Sequence, residues 1–260
     1  MKNLISSILF LTIAIVGMCQ VHGGKYNKLF DEFLMEDYEG CLKQSFKMIE
    51  KDETRNEPEP YLYVAMVYSK FIEMPEMEEA YPNALKDAQK YAAKAVKKDQ
   101  KARNAKDEER EEQDDEGYYW EKNQEYFDEL KRTSMDQAEY YFNEDNFGKA
   151  ASGYSKILKW DEEDENILMI TGACQYLSKN VGQGKITIDL AVKFIKEKYT
   201  NEDYDGNEVS MPALEDGVRA YTEFLIDSGD EEGAKAFMDE IYDFLSWNES
   251  IRAQKKKLME

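Results

Sequence analysis

The feature of this sequence that most constrains its fold is an apolar pattern with helical spacing, which recurs from residue 25 to residue 246. The clearest example spans 134–161, where a break at Asn146 separates two stretches of the pattern. The small Ala150 in the second stretch lets one helix approach the other closely. Side chains at spacings of three and four positions fall on one face of that second helix: Phe147, Ala150, Tyr154 and Ile157. The pattern therefore predicts helices that pack in pairs.

These marks resemble the tetratricopeptide repeat, a family of helix pairs with a small residue on each helix and aromatic residues beside it. Glu162 stands where the family usually has proline, so the signal that ends this unit is weaker. The resemblance implies an all-α fold, a right-handed superhelix of about five antiparallel helix pairs (an α-solenoid) with a charged insertion. It also implies that the repeats pack through Ala65, Tyr68, Ala88, Ala138, Tyr141, Phe147, Ala150, Tyr154, Ile157 and Ala234.

Some segments depart from this pattern. We expect an insertion at 74–84 and a break at Gly182 and Gly184, between the helices of the fourth pair. Residues 97–116 are nearly all charged, and both a solvated helix and a mobile linker are compatible with them. The predicted organisation is a secretory signal at 1–23, helix pairs at 24–100, a charged helical extension or linker at 101–117, helix pairs at 118–250, and a basic tail at 251–260 that is expected to fray.

The amino terminus is typical of a secretory signal peptide, with Lys2 followed by an uncharged apolar stretch at 4–18. Met18 precedes Cys19 where lipoprotein signals have a small residue, which disfavours lipid anchoring at Cys19. We therefore expect an exported protein, in the periplasm or outside the cell, with no transmembrane span. The two later cysteines, Cys41 and Cys174, lie in helical patterns and are expected to be buried thiols.

Charge and histidine content limit the possible functions. The formal net charge is −21, which repels nucleic acid and suits a basic protein or peptide partner, although solubility alone also explains it. The only histidine is His22, so histidine-dependent nucleophiles and histidine-bound zinc find no support. No glycine-rich phosphate loop follows a strand pattern. We therefore predict a protein that is not an enzyme and has no cofactor.

Two alternatives stay open. A glycan-binding or hydrolytic helical protein could use two carboxylates, which would require a buried Asp–Glu pair across a deep cleft. A calcium-responsive acidic module could use Asn201, Asp203 and Asp205, which match the start of an EF-hand loop. The twelfth position of that loop is Pro212, which cannot bind calcium, so a polar loop without metal is the favoured interpretation.

The function that the resemblance implies is partner binding by the first helix of each pair, since those helices line a groove in the family. Methionines and an aromatic in such a groove would form an adaptable apolar patch with an acidic rim. The groove residues predicted on this basis are Leu62, Met66, Ser69, Met135, Glu139, Phe142 and Asn143, of which Met66, Met135 and Phe142 are expected to be exposed. We expect a non-catalytic scaffold, with roles such as envelope assembly or secretion.

Overall fold

The computed structural model describes residues 26–107, 123–200, 204 and 206–260 of the chain. Within these residues it contains α-helices and no β-strand, which confirms the predicted all-α class. The helices are α1 Asn27–Leu34, α2 Tyr38–Glu50, α3 Pro58–Glu73, α4 Ala84–Asp107, α5 Gln124–Asn143, α6 Phe147–Ile157, α7 Glu165–Leu177, α8 Val181–Lys198, α9 Met211–Asp227, α10 Glu231–Leu245 and α11 Glu249–Met259.

The helices belong to two compact units, Met1–Phe127 and Asp128–Glu260, and the boundary falls within α5. In unit 1, α1 packs on α2, α2 on α3, and α3 on α4. In unit 2, α7 is central because it packs on α6, α8 and α9, while α10 contacts α8, α9 and α11. Each unit has its own apolar core, so the helix pairs are stacked within each unit.

Four helix pairs turn through the same three-residue corner. In each corner the second residue has a positive φ and the third begins the next helix as its N-cap: Glu36–Asp37, Asp145–Asn146, Lys179–Asn180 and Gly229–Asp230. Each corner closes with the two backbone hydrogen bonds of a Schellman motif, for example from the Asp145 N–H to the Phe142 carbonyl and from the Asn146 N–H to the Tyr141 carbonyl. Asp145 and Lys179 are 34 residues apart, which is the period of the predicted repeat.

A small buried residue follows each of these N-caps by four positions. The four residues are Cys41, Ala150, Gly184 and Ala234. Gly184 therefore lies inside α8, and the predicted break at Gly182 and Gly184 is wrong. A Cβ at Gly184 would come within 2.6 Å of the Tyr176 ring, so glycine serves there as the smallest possible packing residue.

The insertion at 74–84 packs against unit 1 instead of extending into solvent. It contains a single 3₁₀ turn, Pro75–Met77, and then brings Tyr81 back to the core. The Tyr81 ring stacks on Phe71 with centroids 4.3 Å apart, and the Tyr81 hydroxyl donates to Glu39 Oε1 at 3.2 Å. This segment is therefore part of the unit 1 core.

The charged segment at 97–116 is helical as far as Asp107, the last residue that the structure describes before the gap at 108–122. Asp99 is buried within this segment, and its carboxylate lies 3.4 Å from Arg103 Nε. The helical interpretation therefore holds for 97–107. The remainder of the segment, including most of the predicted extension at 101–117, lies outside the described residues, as does the predicted signal at 1–23.

The basic tail at 251–260 does not fray, contrary to the sequence prediction. It forms α11, whose N-cap Asn248 accepts a hydrogen bond from the Ile251 N–H at 3.0 Å. Ile251 is fully buried, and Lys255 Nζ lies 3.8 Å from the Tyr242 ring centroid and 3.0 Å from Asp239. Lys255 thus covers an acidic, aromatic part of α10.

Both cysteines in the described residues are buried free thiols, as the sequence predicted. Burial raises the pKa of Cys41 and of Cys174 to about 12. The Cys41 thiol lies 3.5 Å from the Leu29 carbonyl, so it is used in packing between α1 and α2. Neither thiol has the lowered pKa of a reactive cysteine.

Candidate binding face on helices α2 and α4

The predicted groove residues of unit 1 are not an open surface. Leu62 is fully buried, and Met66 is half-buried against the apolar core. The Ser69 hydroxyl lies 3.3 Å from the Tyr126 hydroxyl, so the start of α5 occupies the position expected for a ligand. The prediction that Met66 is freely exposed is therefore wrong.

In unit 2 the apolar half of the predicted groove is buried as well. Met135 and Phe142 are only 8% and 9% exposed, and the Phe142 ring packs on Phe147 with centroids 5.7 Å apart. Glu139 and Asn143 are exposed as predicted, but they have no exposed Met135 or Phe142 beside them. An apolar patch with an acidic rim is thus not formed here.

First helices also pack closely on one another elsewhere in unit 2. A Cβ at Gly217 of α9 would lie 2.6 Å from the Ile170 backbone nitrogen of α7. Almost every residue of α7 is buried, including Ile167, Ile170 and Cys174. A helix that is apolar on all sides is covered on all sides. The face of α7 that a repeat of this type would offer to a partner is instead covered by its own chain.

The predicted repeat-packing residues do lie in the interior or at its margin. The most deeply buried are Ala65, Ala88, Ala138, Ala150, Tyr154, Ile157 and Ala234, each no more than 3% exposed. Tyr68, Tyr141 and Phe147 are half-buried. These three aromatic side chains therefore keep part of their surface in solvent.

A buried ionic network bears on the carboxylate alternative. Lys131 of α5 is almost fully buried, and its Nζ lies 2.6 Å from Asp161 Oδ2 and 2.7 Å from Asp164 Oδ2. Burial alone would lower the pKa of Lys131, but the attraction of Asp164 and Asp161 raises it above its ordinary value. Asp164 Oδ1 also accepts the backbone N–H groups of Asn166 and Ile167, which caps α7.

The carboxylate of the next residue, Glu165, is also bound by internal partners. Its side chain is fully buried, with Oε2 at 2.8 Å from Lys198 Nζ and Oε1 accepting from the Tyr204 hydroxyl at 2.6 Å. Ser210 Oγ donates to Asp164 at 2.9 Å. These contacts fasten the α6–α7 corner to the end of α8 and the start of α9. The hydrolytic alternative requires a buried Asp–Glu pair across a deep cleft. Asp164 and Glu165 are buried acids, but both are held by internal partners and line neither of the two clefts described below.

The calcium hypothesis gains no structural support. Asn201, Asp203 and Asp205 lie outside the described residues. Pro212, at the position where calcium would need an acidic ligand, lies in the first turn of α9. In the part of the chain that the structure describes, no three His, Cys, Asp or Glu side chains are grouped closely enough to hold a metal ion.

The surface with the most developed geometry is a face of unit 1 formed by α2 and α4, which we call the α2–α4 face. It is defined by Lys43, Phe46 and Lys47 of α2, by Lys90, Tyr91, Lys94 and Lys98 of α4, and by Tyr81. The Phe46 and Tyr91 rings join the two helices, with centroids 5.6 Å apart. An open cleft of about 410 Å³ runs beside α2 and is lined by Glu39, Leu42, Lys43, Phe46, Lys47, Glu50 and Tyr81.

The aromatic rings of this face pack on further aromatic rings of unit 1. Tyr91 stacks on Tyr61 and on Tyr68, with centroids 6.5 and 6.3 Å apart. Tyr68 in turn meets Tyr81 edge to face at 6.1 Å. Phe46, Tyr81 and Tyr91 each keep part of their surface exposed. Rings fixed in this way present rigid, partly apolar surface to a partner at low entropic cost.

Three lysines of α4 lie over these rings. Lys90 Nζ and Lys94 Nζ are 4.9 and 4.7 Å from the Tyr91 ring centroid, and Lys98 Nζ is 5.6 Å from that of Tyr61. Partial burial lowers the pKa of Lys94, and the like charges of Lys90 and Lys98 lower it further. Lys90 has Asp87 at 3.8 Å, whereas none of the described residues forms an ion pair with Lys94.

The sequence contains a signal for this face that is independent of the repeat pattern. Lys86, Lys90, Lys94 and Lys98 recur every fourth residue, a spacing that puts them on one side of a helix. The charged segment of the sequence analysis, 97–116, begins after Lys94, so it contains only the last lysine of this row.

A second open cleft, also about 410 Å³, lies in unit 2 between two successive corners. It is lined by Glu144, Asp145, Asn146, Phe147, Gly148, Leu177, Ser178 and Lys179. Tyr140, one turn before it on α5, is 62% exposed. Its lining is mostly polar turn residues, so it offers a partner less apolar surface than the α2–α4 face does.

Comparisons with known proteins add little beyond the helical class. No protein-family model and no curated protein matches the chain. Among solved structures, the chain is similar to the TPR2AB-domain:pHSP90-complex of yeast Sti1, with 14% identity and a TM-score of 0.34, over 90% of this chain and 84% of that one. Among the described helices, none has the length and apolar character required to cross a membrane.

Proposed function

We propose that this chain is an exported, non-catalytic helical-repeat scaffold that binds a protein segment through the α2–α4 face. The observation that supports it is the combination on that face of three partly exposed aromatic rings, a cleft of about 410 Å³ and a row of lysines. Partly exposed aromatic residues with charged neighbours are typical of protein-binding surfaces.

The carboxylate alternative has weaker support. A hydrolytic pair needs one acidic group that faces the substrate and keeps its proton near neutral pH. Asp164 and Glu165 instead each face a lysine, at 2.7 and 2.8 Å. We therefore favour a scaffold over a hydrolase, and the secretory signal predicted at 1–23 favours a role in the cell envelope, such as assembly or secretion.

Affinity capture from the native envelope tests this proposal with a matched pair of tyrosine variants. Tyr81→Ala removes a ring from the α2–α4 face, while Tyr140→Ala removes a more exposed ring from unit 2. We expect a reproducible protein partner with the wild type and with Tyr140→Ala, and its loss with Tyr81→Ala. Because Tyr81 also packs on Phe71, urea unfolding and circular dichroism of both variants check that unit 1 stays folded. Capture of the same proteins by all three forms would refute the proposed face.

A further inference from the structure

Helix α4 is a basic element in an acidic protein. It contains eight lysine and arginine residues against three aspartates, whereas the whole chain has a formal net charge of −21. Of the three aspartates, Asp99 is buried beside Arg103 and Asp87 lies 3.8 Å from Lys90. Helix α4 is therefore locally positive, and three of its lysines, Lys90, Lys94 and Lys98, belong to the α2–α4 face.

We infer that the α2–α4 face binds an acidic polypeptide segment, with Lys90, Lys94 and Lys98 as the groups that meet its carboxylates. This inference rests on the proposed function and adds the chemistry of the partner. The net charge of the whole chain would favour a basic partner, but a short segment responds to the charges within about 8 Å of it, the Debye length in physiological salt.

Unneutralised charge on Lys94 supports this choice, whereas Lys90 has Asp87 nearby and Lys98 Nζ donates to Asn56 Oδ1 at 2.9 Å. Lys94 lies between Lys90 and Lys98 and has no ion-pair partner among the described residues. Mutual repulsion of the three ammonium groups contributes to the lowered pKa of Lys94. A carboxylate placed between them would relieve this repulsion, and the partly exposed Tyr91 and Phe46 rings would pack on apolar parts of the segment.

The spacing of the lysines suits an extended segment. Residues four apart on a helix rise by about 6 Å along its axis. In an extended chain, side chains on one face are two residues apart, which is about 6.6 Å. A segment with acidic residues at every second position therefore places successive carboxylates near successive lysines.

A long polyanion is less suitable than a peptide. Nucleic acid and anionic membranes are long polyanions, and the formal net charge of the chain, −21, repels them. A peptide of a few residues can contact the lysine row alone. We therefore assign the face to an acidic peptide segment and treat a nucleic acid as the competing outcome.

The test is a titration of the full chain with labelled 12-residue peptides, followed by fluorescence anisotropy. The probes are (Glu-Ser)₆, (Gln-Ser)₆ and (Lys-Ser)₆, together with a single-stranded oligonucleotide that carries six phosphates. We expect (Glu-Ser)₆ to bind best and to weaken as salt is raised. Three exposed ion pairs correspond to about a tenfold loss of affinity when all are removed, so the variant K90Q/K94Q/K98Q should bind (Glu-Ser)₆ about tenfold more weakly.

A matched variant separates this local effect from net charge. K159Q/K235Q/K257Q removes three exposed lysines from unit 2 and changes the total charge equally, so its affinity should stay within about twofold of the wild type. An equal loss in both variants, equal binding of (Gln-Ser)₆, or tighter binding of the oligonucleotide would each overturn the inference. If K90Q/K94Q/K98Q still captures the wild-type partner from the envelope, the scaffold proposal stands and only the acidic-segment inference fails.

Discussion

At the scale of single residues, the fit between helices depends on side chains that are absent or very small. A Cβ at Gly153 would lie 2.8 Å from the Cβ of Ala138, and one at Gly184 would lie 2.6 Å from the Tyr176 ring. The Tyr176 ring cannot retreat easily, because it also packs on Tyr221 and Phe224 with centroids about 5 Å away. These positions hold paired helices at their closest approach.

A comparison of two glycines on α8 tests this packing. Gly184→Ala should lower the free energy of unfolding by about 1–2 kcal/mol, because the overpacking exceeds the gain in helix propensity. Gly182→Ala should raise it by about 0.5–1 kcal/mol, since nothing lies within 4 Å of that position. Urea unfolding measures both. Equal effects would show that Gly184 is not a packing position.

The buried lysine of unit 2 supports a second prediction. Lys131→Met would leave Asp164 buried without its cation, at a cost of about 3–5 kcal/mol in the free energy of unfolding. Lys159→Met, an exposed change of the same kind, should cost less than about 0.5 kcal/mol. Thermal and chemical unfolding would show the difference, and a small effect at Lys131 would mean that the network is dispensable.

Buried thiols and tyrosines predict sensitivity to alkali. Burial raises the pKa of Cys41 from 9.0 to about 12 and that of Tyr68 from 10.0 to about 12. Groups whose folded pKa is raised favour the folded state fully below their unfolded pKa, and this contribution is lost as pH rises through the folded value. The free energy of unfolding should therefore fall between about pH 9 and pH 12. Unfolding curves at pH 8, 10 and 11 would show this, and constant stability would contradict it.

At the scale of elements, the three-residue corner is the unit that repeats. At three of the four corners the residue with positive φ carries a side chain. Only the fourth corner has glycine, Gly229, which this conformation favours. Lys179 has a φ of 67°, where a side chain costs about 1 kcal/mol relative to glycine. The corners therefore contain a small amount of strain that substitution can remove or add.

Substitution at two corners measures that strain directly. Lys179→Gly should raise the free energy of unfolding by up to about 1 kcal/mol, whereas Lys179→Ala should leave it nearly unchanged. Gly229→Ala should lower it by about 1 kcal/mol through backbone conformation alone, because nothing lies within 4 Å of the added Cβ. If Gly229→Ala has no effect, the positive φ at that corner is incorrect.

Much of the element structure could be predicted from the sequence, because helical spacing depends on local residue order. The 134–161 pair has its break at Asn146, and Asn146 is the N-cap of α6. The predicted helix break at Gly184 is wrong, because glycine is found both at exposed helix breaks and at buried positions where two helices approach closely. That the tail at 251–260 is an ordered helix could not be predicted, because this order depends on contacts of Lys255 with Tyr242 and Asp239, which are distant in sequence.

The candidate site was harder to predict than the fold. Which face of a first helix stays open depends on what the next helix covers, and single-helix patterns do not contain that information. Leu62, Met135 and Phe142 lie off the predicted packing stripe and are nevertheless buried. The lysine row of α4 was visible in the sequence, but its importance depends on Phe46 and Tyr91, which meet only in the fold.

At the scale of the whole molecule, charge is distributed unevenly. The formal net charge of −21 repels other anions, whereas α4 presents a positive row in unit 1. Binding of an acidic segment at that row should therefore be local, weaken with salt, and leave unit 2 unaffected. These properties differ from those of a general cation-binding acidic protein.

The measurement that tests protein binding by the α2–α4 face most directly is photo-crosslinking in the native cell. A photoreactive residue at Glu50, an exposed position that lines the cleft, is compared with one at Glu162, an exposed position in unit 2. We predict an adduct of defined mass from Glu50, with the crosslink in an acidic segment of the captured protein, and no such adduct from Glu162. No adduct from Glu50, or the same adducts from both positions, would contradict the proposed function.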